Sequence, residues 1–553
     1  MTLTAPLRVD ALASLLQLGP HDVEPYGWYK AKLAYGLERR LADRPLGRYV
    51  AVTAINPTPL GEGKTVTSIG LAMGLCRRGR RAIVTLREPS LGPLFGIKGG
   101  GAGGGRATLY PADDINLHFT GDIHAVATAT NLLAALVDNH VRRGFEPRID
   151  PSQVRVRRAI DLCDRSLERI TTGLAYEDPL AQHSAGFDLA PASEVMAILG
   201  LADSLADLRA RLGRIRVSGE VTAEQLGFAG SMAVLLRDAL RPNLVQTCEG
   251  TPALVHTGPF ANIAHGNSSV LADLAAIRLA DYVVTESGFG SECGLEKLID
   301  IKCRVTGLAP AAAVLVCTVR ARKFHSGRFD VRPGRPLPTR LVEEDLDALE
   351  TGSANLQAHL ELLARFGIPA VVAINHFPTD SPRELELTAE LARRYGAAEV
   401  AQSDTFAEGS AGAERLAAAV ERVCANQASP ALRPLYSLDD SPQQKLHAIA
   451  TQAYGAEGVD LSPQAAEQLR QLAANGFDHL PVCIAKTQYS LSHDPALVGR
   501  PRGFRLPISE LRVAAGAGYV YALAGAIRTM PGLPSHPAAQ KIDLAPDGQI
   551  SWP

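Results

Sequence analysis

The 553-residue chain lacks the features that would assign it to a secreted, membrane-spanning or zinc-binding class. Its cysteines, at positions 76, 163, 248, 293, 303, 317, 424 and 483, form no Cys-x-x-Cys and no Cys/His metal spacing, as expected of reduced thiols. The first ten residues lack the basic stretch and apolar run of a signal peptide. No apolar run approaches the roughly 20 residues that cross a bilayer. We therefore expect a soluble, cytoplasmic protein.

An excess of either charge is also lacking. Lysine and arginine total 56 against 58 for aspartate and glutamate, a net charge of −2. A nearly neutral chain gives no electrostatic reason to expect nucleic acid or an anionic membrane as a partner. A chain of this length is too long for one hydrophobic core, so two to four domains are expected.

What the chain does contain is a series of short, β-branched-rich runs, at residues 48–55, 81–86, 282–285, 313–319 and 369–375. Continuous apolar runs are typical of parallel strands buried on both faces. Helical patterns fall between them, at residues 65–78, 123–141 and 356–366. This alternation predicts an α/β fold with a mostly parallel, doubly wound sheet. In such sheets the functional residues gather in loops at the carboxyl ends of the strands.

The loop after the first of these runs ends in Gly-Lys-Thr at a predicted helix start, the arrangement of a P-loop. Backbone N–H groups there would point at phosphate oxygens. Lys64 would add a positive charge, and the Thr65 hydroxyl would ligand Mg²⁺. The candidate nucleotide-binding residues are Thr58, Pro59, Leu60, Gly61, Glu62, Gly63, Lys64 and Thr65. The usual spacing has glycine at position 58, so the loop is a variant, and an ordinary helix start is the alternative.

Two more Gly-rich loops follow predicted strands. One begins at Arg87 and has six glycines among residues 99–105. A flexible linker is the alternative, but the run follows a strand directly and lacks the serines and charges of linkers. Arg87 would be a second cation for an anionic ligand. The other comprises residues 258–267 and 285–297. Three such loops indicate one composite site that binds a nucleoside triphosphate beside a small anion.

Seven longer motifs resemble, in the same order, those of the formate–tetrahydrofolate ligase family. They are TPLGEGKT at 58–65, REPSLGPLFGIKGG at 87–100, DINLHFTGDIHA at 114–125, EGTPALVHTGPFANIAHG at 249–266, ESGFGSECGLEKLIDIKCR at 286–304, LPVCIAKTQYSLS at 480–492 and TMPGLP at 529–534. With shorter matches at 24–32 and 242–253, the resemblance covers essentially the whole chain.

The resemblance implies a two-step reaction. Formate attacks the γ-phosphate of ATP to give formyl phosphate and ADP, and the N10 amine of tetrahydrofolate then takes the formyl group and expels phosphate. Lys64, Arg87 and Mg²⁺ are the candidates for holding the transferring phosphoryl group. Asp122 is placed near the formyl-transfer centre as orienting group or base. The resemblance also implies a homotetramer and assistance by a monovalent cation.

For the pterin ring, the resemblance implies two aromatic side chains. These are Phe377, followed by Pro378, and Phe406 about thirty residues later. Two aromatic faces would enclose the pterin by offset stacking. The alternative is that both are ordinary core phenylalanines.

The departures from the family pattern fall on the periphery and the pterin side. Phe406 replaces the usual tryptophan, His376 an arginine, and Asn267 a cysteine, whereas the phosphate-side motifs are intact. Residues 182–187 lack the usual Arg-Glu before Gly-Phe, and Ala526 replaces the usual aspartate. The ATP half of the implied reaction therefore rests on intact motifs, and the folate half on altered ones.

Changes of composition at residues 328–339 and 426–443 suggest three units. We predict a nucleotide-binding main domain over 1–350, an α/β domain with the folate-side aromatics over 351–435, and a C-terminal α/β domain over 436–553.

Three other functions are alternatives to this one. One is an ATP-dependent ligase or kinase of another small carboxylate on the same fold. A catalytically weak paralogue that binds nucleotide or folate is the second, which the full set of Lys64, Thr65, Arg87 and Asp122 argues against. The third, a nucleic-acid ATPase, is disfavoured by the neutral charge and the absence of basic tracts.

Overall fold

The computed structural model describes residues 5–59, 61–98, 100–175, 182–331, 337–427, 430–525 and 527–553. Leu60, one of the predicted phosphate-loop residues, lies outside these ranges. None of the described helices is long and apolar enough to cross a membrane.

The helices of the described residues are α1 Val9–Leu15, α2 Leu37–Arg40, α3 Lys64–Arg77, α4 Leu91–Pro93, α5 Ala112–Asn116, α6 Asp122–Arg143, α7 Glu194–Leu201, α8 Leu205–Gly213, α9 Ala229–Leu236, α10 Val270–Leu279, α11 Cys303–Thr306, α12 Val319–Phe324, α13 Thr339–Val342, α14 Leu346–Arg365, α15 Pro382–Arg394, α16 Thr405–Glu408, α17 Glu414–Asn426, α18 Pro442–Gln452 and α19 Pro463–Ala474. Three π-helical segments are Leu94–Lys98, Ser291–Leu295 and Leu298–Lys302.

The strands are β1 Val23–Pro25, β2 Ala31–Leu33, β3 Arg48–Ala54, β4 Ala82–Leu86, β5 Gly103–Gly104, β6 Ala107–Tyr110, β7 Arg158–Ile160, β8 Ile170–Thr172, β9 His183–Ala185, β10 Phe187–Leu189, β11 Arg216–Ser218, β12 Val221–Thr222, β13 Asn243–Thr247, β14 Pro252–Val255, β15 Tyr282–Glu286, β16 Ala312–Cys317, β17 Ala370–Asn375, β18 Glu399–Ser403, β19 Val459–Leu461, β20 Val482–Ala485, β21 Leu506–Ala514, β22 Tyr519–Ala524, β23 Asp543–Leu544 and β24 Ile550–Ser551.

A large, mostly parallel sheet forms the centre of the molecule. Its parallel part has the strand order β14-β4-β15-β3-β16-β17-β18. Strands β1, β2, β5, β6 and β13 extend it by antiparallel pairing. The predicted α/β class and mostly parallel sheet are confirmed. The carboxyl ends of the parallel strands meet at one edge, so the loops after them lie close together.

Helices cover both faces of the sheet because alternate residues of its strands face two separate cores. On β3, Val50 and Val52 pack in a core that includes α3 and α17. Tyr49 and Ala51 pack in the core that includes α10 and α14. This two-sided burial explains why the strand is an uninterrupted apolar run in the sequence.

The five predicted strands of the central sheet are present with their ends shifted by one or two residues. The helix predicted over 356–366 is longer, because α14 begins at Leu346. The Asp345 carboxylate accepts a hydrogen bond from the Ala348 backbone N–H at 2.9 Å, and this cap stabilises the helix start. Gly352 and Ser353 interrupt the apolar periodicity between Leu349 and Leu356, so the prediction began the helix too late.

A second sheet lies near the C-terminus, with the strand order β19-β21-β22-β20 and helices α18 and α19 beside it. It falls inside the predicted unit at 436–553. Strands β17 and β18, from the predicted unit at 351–435, continue the central sheet. The division into three domains stays a prediction.

Candidate functional site

The side chain of Glu62 stabilises the loop between β3 and α3 through hydrogen bonds. Its carboxylate accepts a hydrogen bond from the Thr58 backbone N–H at 2.8 Å and another from the Thr318 hydroxyl at 2.8 Å. Glu62 is buried, so its side chain shapes the loop. Gly63 precedes the helix with a φ of 74°, and Gly61 has a φ of 80°. Both values favour glycine and turn the loop sharply into α3.

Lys64 and Thr65 form the first turn of α3, where they are partly buried. No hydrogen bond or ion pair of the Lys64 amine is found within the described residues. Burial lowers the pKa of Lys64, while the nearby carboxylates of Glu286 and Glu62 act in the opposite direction. The positive charge of Arg87 also lowers the pKa of Lys64. A cationic amine without a partner beside a helix N-terminus is suited to an anionic group.

Arg87 follows β4 directly and joins two of the predicted loops. Its guanidinium donates to the Pro259 carbonyl oxygen at 3.0 Å and lies 3.7 Å from a carboxylate oxygen of Glu286. Its Nε has no hydrogen-bond partner among the described residues, and neither does one carboxylate oxygen of Glu286. The structure therefore brings Arg87 and the loop at 258–267 together, with unused hydrogen-bonding groups.

The Gly-rich segment after Arg87 is ordered by hydrogen bonds over its described residues. The Gly101 N–H donates to the Asn116 side chain at 2.9 Å, and β5 pairs with β6. The alternative of a flexible linker is wrong for this part of the segment. Lys98 ends a π-helical turn just before it. Lys98 is exposed, and desolvation and then the positive charge of Arg87 lower its pKa to about 8.

Asp122 is the first residue of α6. Its buried side chain contacts polar side chains of β2 and β13. Its carboxylate oxygens lie 2.6 and 2.7 Å from the Lys32 amine, and one accepts from the Asn243 amide at 2.8 Å. Burial raises the pKa of Glu88 well above its usual range, and the Asp122 charge acts in the same direction. Glu88 is the neighbour of Arg87 in sequence, so the charge of Asp122 acts on the Arg87 segment.

The two predicted pterin-side aromatics are accessible side chains. Phe406 is 59% exposed and lies against the Gly-rich segment, since a Cβ on Gly105 would be 2.9 Å from the ring. The alternative of a core phenylalanine is wrong for Phe406. Phe377 is half-buried, with the Arg320 guanidinium 3.5 Å from its ring centre, and Pro378 beside it is exposed.

Three contacts link the loops of these aromatics with the loop between β3 and α3 and with the Gly-rich segment. The Asn375 amide donates to the Glu62 carbonyl oxygen at 3.2 Å. One residue further on, a His376 ring nitrogen lies 2.6 Å from an Asp404 carboxylate oxygen. The Arg106 N–H donates to the Phe406 carbonyl oxygen at 2.9 Å. The loops that carry Lys64, Phe377, Phe406 and the glycines are therefore joined into one continuous surface. We call this surface the rim.

Comparison with known proteins decides the family. The sequence profile of formate–tetrahydrofolate ligase matches residues 2–552. The chain belongs to the formate–tetrahydrofolate ligase family. It is similar to the formate–tetrahydrofolate ligase of Roseiflexus castenholzii, with 52% identity over 549 residues, 98% of this chain and 97% of the relative. It also resembles those of Desulforamulus reducens, 50% identical over 97% of this chain and 95% of the relative, and Aeromonas hydrophila, 51% identical over 98% and 97%.

Membership of the formate–tetrahydrofolate ligase family confirms the family and the class of enzyme that the motifs predicted. Sequence reasoning had missed Lys32, Lys98, Arg320 and His265. Lys32 and Lys98 lie inside quoted motifs, but nothing there separated them from other lysines. His265 is fully buried with both ring nitrogens unpartnered among the described residues. Only the folded chain shows that Arg320 covers Phe377.

Proposed function

We propose that the chain ligates formate to tetrahydrofolate, using ATP and giving 10-formyltetrahydrofolate, ADP and phosphate through formyl phosphate. The observation that carries this proposal is the continuous rim, in which Asn375 contacts the phosphate-side loop and His376 contacts the loop of Phe406. A phosphate-binding loop and two accessible aromatics on one rim suit a reaction that passes a group from ATP to a pterin. Family membership supports the same reaction.

We propose that ATP is held by the P-loop-type segment Thr58–Thr65. Gly63 supports the fit of this segment to phosphate. A Cβ at this position would lie 2.4 Å from the Asn375 amide nitrogen, so the position has no side chain and the loop backbone stays uncovered. The described residues contain no cluster of three or more His, Cys, Asp or Glu side chains that could hold a metal ion. The Thr65 hydroxyl would hold Mg²⁺, and the ion would supply neutralisation of phosphate charge.

In the first step, a formate oxygen attacks the γ-phosphorus and ADP leaves. Formate is already ionised at neutral pH, so this step needs positioning and charge neutralisation more than a base. Lys64 and Arg87 are the side chains for that task, since both have unused donors beside the loop. Removing one preorganised donor of this kind costs about 10²–10³ in rate.

In the second step, the N10 amine of tetrahydrofolate attacks the formyl carbon, phosphate leaves, and the amine loses a proton. We propose that the pterin stacks on Phe406 and on the face of Phe377 opposite Arg320, next to Pro378. We keep Asp122 as the orienting group behind the formyl-transfer centre. Its hydrogen bonds from Lys32 and Asn243 fix the carboxylate in place, which suits an orienting role.

The proposed enzyme is a homotetramer assisted by a monovalent cation, for which we name no ligands. These two features, together with a cytoplasmic location, stay predictions from the family resemblance.

The test measures ADP release from formate and MgATP, with and without tetrahydrofolate. Formation of 10-formyltetrahydrofolate is followed as the absorbance of its acid-cyclised methenyl form. We expect formylated product only when all three substrates are present, and its loss in Lys64→Ala. The exposed Lys541 provides a matched control, because Lys541→Ala should keep full activity.

The other outcomes separate the remaining candidates. ADP release that needs formate but gives no formylated folate would mean that another molecule accepts the activated carboxylate. ADP release with a different small carboxylate and not with formate would indicate a related ligase or kinase. Binding of ATP and folate without turnover would indicate a paralogue with a binding role.

A further inference from the structure

A cavity of about 640 Å³ lies between helices α6 and α7 and the C-terminal sheet. Its apolar floor includes Leu133, Val195, Ile215 and Tyr519. The volume is in the range of about 300–1,000 Å³ that is typical of small-molecule sites. The cavity is therefore large enough for a metabolite.

This cavity is separate from the rim described above. Within the described residues, its walls include none of the segments 58–65, 87–98, 375–378 or 404–406. The nearest link is Ile263, which lines the cavity and belongs to the loop that accepts a hydrogen bond from Arg87. The substrates of the proposed reaction are thus placed elsewhere.

Five arginines line the cavity, and two of them are occupied by acidic partners. Arg157 donates to the Asp188 carboxylate at 2.6 Å. Arg512 donates to the Glu510 carboxylate at 3.0 Å. These pairs hold the walls together and leave little charge for a ligand.

The other three arginines, Arg155, Arg169 and Arg216, have no acidic partner within the described residues. Arg216 donates to the Gly219 carbonyl oxygen at 3.2 Å, and its guanidinium lies 4.6 Å from the centre of the Phe477 ring. Arg155 and Arg169 are exposed side chains of the wall. Guanidinium groups with free donors bind carboxylate and phosphate oxygens in pairs of hydrogen bonds.

The acids of the wall do not cancel this charge. Glu194 already accepts a hydrogen bond from the Gly516 N–H at 2.8 Å. Desolvation raises the pKa of Glu194 to about 7, so part of its population is neutral near neutral pH. Glu220 is exposed, as Arg155 and Arg169 are, and the lining has four acids, Asp188, Glu194, Glu220 and Glu510, against its five arginines. The cavity therefore has a positive surplus from arginines on several different segments.

We propose that this cavity is a binding site for a small organic anion carrying at least two carboxylate or phosphate groups. Two anionic groups are required because the unpaired arginines belong to separate segments, at 155, 169 and 216. The apolar floor, with Phe477 beneath Arg216, contacts the carbon skeleton of the ligand.

The proposal is tested by isothermal titration calorimetry of the full chain. Citrate is the carboxylate probe and inorganic pyrophosphate is the phosphate probe. We expect saturable citrate binding in the wild type and in Lys64→Ala, in which the phosphate loop is impaired. Binding should weaken at least about tenfold in the double variant R155A/R169A, because two charge-assisted contacts are lost. In R155K/R169K, which keeps the charges and loses the paired geometry, the loss should be smaller.

Two checks make the result decisive. The exposed arginines of the control double variant R365A/R393A lie outside the cavity, so it should bind as the wild type does. Both alanine double variants should keep the wild-type Tm, since the replaced side chains are exposed. Equal binding in wild type and R155A/R169A overturns the proposal, and so does the absence of saturable binding of either probe below about 1 mM. Pyrophosphate binding that is lost only in Lys64→Ala belongs to the phosphate loop and, without citrate binding, also overturns it.

Discussion

The Asn375 side chain closes over Gly63 at the edge of the central sheet. Its amide donates to the Glu62 carbonyl oxygen at 3.2 Å, and a Cβ on residue 63 would lie 2.4 Å from the same nitrogen. Asn375 ends β17, two strands away from β3, which leads into the loop. The conformation of the phosphate-side loop is therefore set partly by a strand more than 300 residues later in the chain.

Gly63→Ala tests this contact. The new methyl group would displace Asn375, and alanine at a φ of 74° costs about 1–2 kcal/mol of backbone strain. We expect the KM for MgATP to rise at least about tenfold, with the fold retained by circular dichroism. Gly230→Ala is the matched control, because a Cβ there meets nothing within 4 Å. A wild-type KM in Gly63→Ala would show that the contact does not shape the nucleotide site.

The pH dependence of substrate binding tests Lys98. Its pKa of about 8 means that the amine is charged below pH 8 and becomes neutral above it. Attraction for an anionic substrate should therefore be present at pH 7 and fade by pH 9, with a rise in the KM for MgATP of roughly fivefold, as expected for a solvent-exposed charge.

The two matched variants have opposite profiles. In Lys98→Arg the charge persists, so the KM should stay low across this range. In Lys98→Gln the KM should be high and independent of pH. The same rise between pH 7 and pH 9 in wild type and both variants would assign the titration to another group.

Asp122→Asn tests whether that carboxylate supports the fold as well as the reaction. The substitution leaves the buried Lys32 ammonium without its counter-charge, which costs about 3–5 kcal/mol of the free energy of unfolding. The matched variant is Glu88→Gln, since burial raises the pKa of the Glu88 carboxyl well above its usual range and an amide of the same shape replaces it. Its expected cost is under about 1 kcal/mol. Urea unfolding compares the two variants, and equal losses would show that the Lys32–Asp122 ion pair contributes no special stability.

Phe406→Ala tests the pterin site without disturbing a core, because the side chain is 59% exposed. We expect a rise in the KM for tetrahydrofolate of about two- to tenfold, corresponding to one lost aromatic pair. The KM values for formate and MgATP and the Tm should stay unchanged. Phe406→Trp offers a larger face and should lower the KM for tetrahydrofolate. An equal change in all three KM values would remove Phe406 from the pterin site.

Local sequence patterns were sufficient to predict the parallel strands, the loop before α3 and the family. The continuous apolar runs identified the parallel strands, because a strand that is buried on both faces is apolar at nearly every position. Gly61 and Gly63 before Lys64 identified the phosphate-side loop, because a turn with positive φ before a helix favours glycine. Long collinear motifs then identified the family, which the comparisons confirmed.

The neighbours of each side chain depended on the tertiary structure. Arg87 meets Pro259, Asp122 meets Lys32, and Asn375 meets Glu62, and each pair joins segments about 90 to 313 residues apart. The same holds for the cavity beside Arg155, whose walls come from both the middle and the end of the chain. Residue type and spacing describe local backbone preference, whereas these contacts arise from the order in which strands are placed in the sheet. That order brings loops that are distant in sequence to one edge, where burial and charge then decide what each side chain can do.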